Sequence, residues 1–85
     1  MSLKKIKISI IGMGYVGLPL AVSFAKNNEV IGFDLNKKRI NDLKKGFDET
    51  FEISKSSILH SKKLTFSTNL NDLKKSNCYI ITVPT

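Results

Sequence analysis

Apolar residues recur along this chain with two different periods, and the periods divide it into strands and helices. Four short, largely apolar segments have the pattern of strands buried in a sheet. They are residues 6–11, 29–34, 64–67 and 78–83. Each is followed or preceded by a stretch in which apolar residues are spaced three or four apart, as on one face of a helix.

Four helical segments are predicted between these strands. They cover residues 15–27, 36–45, 54–60 and 71–75. Pro19 lies near the first turn of the first helix, where a missing N–H costs least. Asn36 is the expected N-cap of the second helix, and Gly46 its C-terminal stop. The order β-α-β-α-β-α-β predicts an α/β fold with a parallel sheet and right-handed crossovers.

The expected fold is a Rossmann-type parallel sheet of order 3-2-1-4, truncated to the first four strands. The chain has 85 residues, enough for one small domain, and it shows no repeat or linker. The fourth strand runs almost to Thr85, without the helix that would cover it. We therefore expect residues 1–85 to be the opening portion of a longer protein.

Composition narrows the class of protein. A hydrophobic content of 41% with 25% charged residues is typical of a globular domain. No apolar run could span a bilayer and no signal peptide is evident, so we expect a cytoplasmic protein without a membrane partner. The net charge of +7 comes from scattered lysine pairs and a single arginine. Because nucleic-acid sites favour arginine and interleaved aromatics, no nucleic-acid partner is expected.

Side chains that could carry chemistry but lack partners in a recognisable motif are interpreted as structural. Cys78 is the single cysteine, which excludes an internal disulfide, and is expected to be a small core residue. His60 is expected to be exposed. Three acidic residues lack a metal-ligand spacing and are predicted to belong to a solvated connector: Asp48, Glu49 and Glu52. Two aromatic residues, Phe47 and Phe51, are expected to fill the core beneath it.

The segment G-M-G-Y-V-G carries the candidate chemistry. Its glycines, Gly12, Gly14 and Gly17, follow a predicted strand and open a predicted helix. Asp34 ends the second strand, 20 residues after Gly14. This is the spacing at which an acid meets the adenosine ribose in dinucleotide-binding folds. The alternative is a glycine turn of no special function, with Asp34 a surface acid.

Each position of the motif has a physical task. Gly12 allows a tight turn, Gly14 lets the backbone approach a pyrophosphate, and Gly17 allows close helix–sheet packing. The N–H groups near Tyr15 and Val16 would hold the phosphates at the helix N-terminus. Asp34 would accept from both ribose hydroxyls and repel a 2′-phosphate, which favours NAD over NADP. A nearby cation, Arg39 or Lys37, could weaken that preference.

Three strings resemble the N-terminal NAD-binding domain of the UDP-glucose/GDP-mannose dehydrogenase family. They are KISIIGMGYVGLPLA, VIGFDLNKKRI and YIITVPT. The segment GFDETFE, residues 46–52, is similar to a G-x-D-x-T-x-E segment of the UDP-N-acetylhexosamine 6-dehydrogenase branch. The resemblance implies a cytoplasmic, homo-oligomeric oxidoreductase that supplies uronic acids for bacterial capsule and related surface polysaccharides. It also implies that Thr50 or Glu52 approaches the nicotinamide end.

The resemblance implies NAD as cofactor and assigns it a set of binding residues. These are Gly12, Gly14, Tyr15, Val16, Gly17, Asp34, Arg39 and Thr85. It implies oxidation of the C6 alcohol of a UDP-sugar to a carboxylate in two NAD-dependent steps. The family's catalytic cysteine, lysine and asparagine have no match here, so the chain alone is expected to be inactive. The alternative function is a stand-alone NAD- or nucleotide-sensing regulatory module.

Overall fold

The computed structural model describes residues 6–82 of the chain. The strands are β1 Lys7–Ile11, β2 Glu29–Phe33, β3 Leu64–Ser67 and β4 Cys78–Ile81. The helices are α1 Gly17–Phe24, α2 Lys37–Lys44, α3 Lys55–His60 and a 3₁₀ helix at Leu70–Lys75. Among these described helices, none is long and apolar enough to cross a membrane.

The four strands form one parallel sheet with the order β3-β2-β1-β4. The predicted fold class and strand order are therefore confirmed. β1 lies in the interior, with Ile10 opposite Gly32 of β2 on one side and Ile80 of β4 on the other. The sheet order places the carboxyl ends of β1 and β4 side by side, because the chain passes from β1 to β2 on one side of β1 and from β3 to β4 on the other. This is the switch point at which ligands bind in open α/β sheets.

One face of the sheet carries the hydrophobic core. Its side chains interlock with apolar residues of α1, α2 and α3, and eleven buried residues form one cluster. They are Ile8, Ile10, Met13, Leu18, Ala21, Ala25, Val30, Ile40, Leu43, Ile58 and Leu64. Met13 is the member that comes from the glycine loop, so the loop is anchored in the core rather than lying over it.

The opposite face is covered in part by the 3₁₀ helix. Ser9 of β1 is fully buried there, and its Oγ lies 2.5 Å from Oγ of Ser76. That contact satisfies a hydroxyl that would otherwise be costly to bury. Further along the same face, Tyr79 and Ile81 of β4 are exposed.

Local sequence signals predicted most of the helix ends correctly. The Asn36 side chain accepts from the Arg39 N–H at 3.0 Å, and Ser54 caps α3 in the same way. Gly46 follows α2 with a φ of +86°, a conformation that suits glycine. The first helix is shorter than the predicted 15–27 at both ends, because residues 15 and 16 stay in the glycine loop and residues 25–27 form a turn. Val83, at the end of the predicted fourth strand, lies outside the described residues.

Two isoleucines of neighbouring strands test how far the core face controls stability. Ile10 is fully buried, whereas Ile81 is 69% exposed. We expect Ile10→Val to lower the free energy of unfolding by about 0.5–1.5 kcal/mol, because a methylene group leaves a packed site. Ile81→Val should change it by less than about 0.5 kcal/mol. Urea unfolding followed by circular dichroism measures both, and equal losses would contradict the assignment of the core face.

Candidate functional site

The glycine loop lies at the carboxyl end of β1, beside the end of β4. Gly12 has a φ of +107°, and a Cβ there would lie 2.3 Å from the carbonyl oxygen of Thr82. A Cβ on Gly17 would lie 1.7 Å from the carbonyl oxygen of Gly12. Both positions therefore exclude any larger residue, since the protein's own backbone occupies the space. The tasks predicted for Gly12 and Gly17 agree with this packing.

Gly14 differs from its two neighbours in the motif. A Cβ built on Gly14 meets no atom within 4 Å, so the space beside it is open. The left-handed glycines of the described chain are Gly12 and Gly46, so backbone conformation does not require glycine at position 14 either. Within residues 6–82, neither packing nor conformation accounts for this glycine. A ligand that approaches the backbone closely does account for it.

The loop also carries backbone N–H groups that have no partner among the described residues. Among the described residues, the N–H groups of Gly14, Tyr15 and Val16 find no hydrogen-bond acceptor. Val16 is the N-cap of α1 but supplies no capping side chain, and the first turn carries no acid. The positive end of the α1 dipole is therefore left available to an anion. Tyr15 and Val16 are both exposed.

The shape of the loop is fixed at the peptide groups of Met13. The Met13 N–H donates to Oδ2 of Asp34 at 2.9 Å. The Met13 carbonyl accepts from Nε of Arg39 at 2.7 Å. The two side chains that the sequence places near the ribose thus also hold the loop from both sides. The second oxygen of Asp34 accepts from the Asn36 N–H at 2.9 Å, which leaves lone pairs on each oxygen for a ligand.

The Asp48 carboxylate accepts several hydrogen bonds that hold the connector between α2 and α3 in place. Its Oδ1 accepts from Nη1 of Arg39 at 2.8 Å and from the N–H and hydroxyl of Thr50 at 2.9 and 2.6 Å. Its Oδ2 accepts from the N–H groups of Glu52 and Ile53 at 2.9 and 3.0 Å. This buried carboxylate therefore binds the backbone N–H groups of Thr50, Glu52 and Ile53 and connects them, through Arg39, to α2.

The electrostatic consequence is a stabilised negative charge. Burial alone would raise the pKa of Asp48. The hydrogen bonds from the Thr50 side chain, from Arg39 and from the backbone N–H groups of Ile53 and Thr50 outweigh burial and lower the pKa to about 2. Asp48 is thus ionised throughout the physiological range and remains paired with Arg39.

The prediction for this connector was wrong in three residues. Asp48 was expected in a solvated stretch, but its side chain is fully buried against Arg39. Phe47 and Phe51 were expected in the core, but they are 46% and 83% exposed. Because Asp48 takes the interior position, its neighbours turn outward, and Phe51 adopts a φ of +57°. Glu52 is exposed, as expected of the connector.

Two other side chains have the structural roles expected of them. Cys78 is half-buried on β4 and packs against the core cluster. His60 is exposed at the end of α3, with Nδ1 2.7 Å from the carbonyl oxygen of Ser56. Within residues 6–82, no group of three or more His, Cys, Asp or Glu residues could hold a metal ion. Thr85, predicted to line the cofactor, lies outside the described residues.

Two residues of the site, Met13 and Thr82, were not singled out from the sequence, and the interior role of a third, Asp48, was missed. Met13 lies between two glycines. The signal in the sequence for its burial was an apolar side chain within the glycine loop. Thr82 directly follows β4, and its hydroxyl donates to the Gly12 carbonyl at 2.8 Å. For Asp48, the signal was the D-x-T pattern with Thr50, because an aspartate often bonds the backbone two residues on.

These features define a class. A glycine loop at the switch point of a parallel sheet, with open N–H groups and an acid at the end of the second strand, is the arrangement of a Rossmann-type dinucleotide-binding domain. The chain belongs to the UDP-glucose/GDP-mannose dehydrogenase family: the sequence model of that family's NAD binding domain matches residues 6–85.

Individual relatives agree with this assignment. The chain is 47% identical, over 98% of its length, to a UDP-N-acetyl-D-glucosamine 6-dehydrogenase of Pseudomonas aeruginosa. It is 51% identical, over 95% of its length, to one of Salmonella typhi. A UDP-D-ManNAc dehydrogenase structure from Pyrococcus horikoshii superposes with a TM-score of 0.83, at 34% identity over 92% of this chain and 20% of that one. The chain spans only 20% and 19% of the two bacterial relatives.

The Asp48–Arg39 ion pair predicts that the free energy of unfolding decreases at acid pH. Because the pKa of Asp48 is about 2 in the folded chain and its ordinary value is 3.8, the unfolded state takes up a proton more readily. The stabilisation is therefore fully present above the ordinary value and is lost as the pH falls toward 2. We expect Asp48→Asn to abolish this part of the pH dependence, as measured by urea midpoints between pH 6 and pH 2.

Glu49→Gln is the control for that experiment, since Glu49 is an exposed neighbour whose carboxylate lies 3.9 Å from Nζ of Lys38. It should leave the pH profile close to that of the original chain. A profile in Asp48→Asn that parallels the original from pH 6 to pH 2 would contradict the role given to Asp48.

Proposed function

We propose that this chain is the partial N-terminal, NAD-binding domain of a nucleotide-sugar 6-dehydrogenase. The whole protein would oxidise the C6 alcohol of a UDP-sugar, a UDP-N-acetylhexosamine, to a uronic acid in two NAD-dependent steps. The observation that carries the proposal is Gly14, a glycine that the described chain needs neither for packing nor for conformation. It lies in a loop at the carboxyl edge of the sheet, next to N–H groups that have no acceptor among the described residues.

The chain's own residues would bind and orient the cofactor. The N–H groups of Gly14, Tyr15 and Val16 would donate to the pyrophosphate oxygens, with the α1 dipole adding to the attraction. Gly12 and Gly17 would keep the loop tight enough for this approach. NAD, once bound, supplies the acceptor for a hydride from the substrate carbon. Thr85 would line the cofactor from the end of the fourth strand, opposite the loop.

Asp34 would select the ribose. Each of its oxygens already accepts one backbone N–H, from Met13 or from Asn36, so the carboxylate is held in a fixed orientation. The remaining lone pairs would accept from the ribose hydroxyls. A 2′-phosphate at the same place would bring two negative charges together, which favours NAD over NADP. Arg39 would act at this end of the site through Met13, whose carbonyl it holds from the other side.

The groups that carry out the chemistry would belong to the rest of the protein. Cys78 packs against the core on β4, which supports a structural role instead of that of the nucleophile. We therefore expect no turnover from the 85 residues alone. The UDP-sugar would be bound by the remaining domains, and the whole protein would be a homo-oligomer. Its product would serve surface polysaccharides, a role supported by the similarity to the CapL protein of Staphylococcus aureus.

The substrate class is supported by the relatives. Two bacterial proteins that match over most of this chain are UDP-N-acetyl-D-glucosamine 6-dehydrogenases. The alternative, a stand-alone regulatory module that senses NAD, is not favoured, because the matching relatives named above are dehydrogenases of nucleotide sugars.

The decisive variant is Gly14→Ala, compared with Gly17→Ala. In Gly14→Ala the added methyl group enters open space, so the free energy of unfolding should be unchanged or rise by up to about 1 kcal/mol. The same methyl group would hold the pyrophosphate away from the loop, so NAD affinity should fall at least about tenfold. Gly17→Ala should instead destabilise the fold by at least about 1 kcal/mol, since its Cβ meets the Gly12 carbonyl.

Isothermal titration calorimetry with NAD, together with urea unfolding of the same samples, measures both effects. A Gly14→Ala chain that is folded and binds NAD as tightly as the original would contradict the proposal. So would an original chain that is folded and binds no NAD.

A further inference from the structure

The cofactor site contains two residues whose charges favour different cofactors, one NAD and the other NADP. Asp34 is the acid that favours an unmodified ribose. Arg39 lies five residues further on, in the first turn of α2, and an arginine near the ribose is the group that accommodates a 2′-phosphate in NADP-binding folds. On sequence alone, Arg39 could therefore weaken the preference for NAD that Asp34 creates.

The structure shows why Arg39 does not act in that way. Its side chain is 8% exposed, so the guanidinium lies inside the protein. Nε donates to the Met13 carbonyl at 2.7 Å, and Nη1 donates to Oδ1 of Asp48 at 2.8 Å. Nη2 is also buried, and it has no hydrogen-bond partner among the described residues. Nε and Nη1 would have to break these contacts to reach an anion in the solvent, and Nη2 is enclosed by the protein.

Asp48 is the group that holds Arg39 in this orientation. A guanidinium is planar, so two hydrogen bonds through different nitrogens fix both its position and its plane. The Met13 carbonyl supplies one of these bonds and Asp48 the other. Asp48 is itself held by Thr50, Glu52 and Ile53, so it cannot follow Arg39 outward. The pair is therefore rigid from the connector through to the glycine loop.

We propose that Asp48 is a specificity-determining residue of the cofactor site: it keeps the Arg39 guanidinium away from the 2′ position of the ribose. Asp48 touches neither substrate nor cofactor and acts through Arg39 as a positioning residue. The inference rests on the proposed NAD binding and deepens it. The preference for NAD then has two sources, the charge of Asp34 and the sequestration of Arg39 by a carboxylate in the connector.

Removing the Asp48 carboxylate should release Arg39 and weaken the preference for NAD over NADP. An unpaired guanidinium is costly to bury, so in Asp48→Asn we expect Arg39 to turn toward water, beside the ribose end of the site. There it can donate to a 2′-phosphate. A charge-assisted hydrogen bond of this kind should raise the affinity for NADP relative to NAD by at least about tenfold.

The test is calorimetric titration with NAD and with NADP of four 85-residue chains. They are the original chain, Asp48→Asn, Glu49→Gln, and the double variant Asp48→Asn with Arg39→Met. Glu49→Gln removes a neighbouring exposed carboxylate and controls for a general charge effect, so its ratio of affinities should be unchanged. The double variant should lose the gain in NADP affinity, because the effect of Asp48 operates through Arg39.

A second measurement uses the original chain and does not depend on the stability of any variant. Nuclear magnetic resonance of the Arg39 Nε–H should show a signal that is protected from exchange with water. The signal should remain in place when 2′,5′-ADP is added, since the guanidinium is held on Met13 and Asp48. A signal that shifts on addition of 2′,5′-ADP, toward a phosphate-bound state, would overturn the proposal.

The outcomes separate this proposal from the proposed function. If the original chain binds NAD but Asp48→Asn keeps the same ratio of affinities, the role of Asp48 is overturned and NAD binding stands. The role is also overturned if Glu49→Gln or the double variant shifts the ratio as much as Asp48→Asn does. A folded original chain that binds neither nucleotide overturns the proposed function, and the selectivity with it.

Discussion

The candidate site depends on how the backbone of Met13 is held. Asp34 accepts its N–H and Arg39 donates to its carbonyl, while its side chain is fully buried beside Gly32. The N–H and the carbonyl of Met13 belong to two successive peptide groups, and each group is held by one of these hydrogen bonds, so the backbone is fixed on both sides of Met13, directly before Gly14. An anion-binding loop is effective when its dipoles are arranged before the ligand arrives. Met13 therefore links the stability of the core to the geometry of the candidate phosphate site.

Much of this architecture follows from local signals in the sequence. The parallel sheet was predictable because each strand is a short apolar run between helical segments, and β3 was placed at its observed bounds. The caps of α2 and α3 were predictable because asparagine and serine accept N–H groups at helix starts. The first helix was predicted too long because periodicity cannot distinguish a loop residue such as Val16 from a helical one.

The Asp48–Arg39 pair could not be derived in the same way. Charged residues are seldom buried, and the default for both side chains is a position in solvent. What buries them is a partnership across nine residues together with the Met13 carbonyl, which comes from a different element. The exposure of Phe47 and Phe51 follows from the same cause, because the interior position of the connector is taken by a carboxylate. Sequence patterns report on neighbours along the chain, whereas this pair is set by tertiary contacts.

In the proposed complex, the free N–H groups of the glycine loop receive the pyrophosphate of NAD. Titration of the 85-residue chain, labelled with ¹⁵N, with NAD tests it most directly. The amide signals of Gly14, Tyr15 and Val16 should shift together and saturate at one dissociation constant. Shifts confined to other parts of the chain, such as the lysine-lined groove at Lys62, Lys63 and Lys75, with the loop signals unmoved, would contradict the claim.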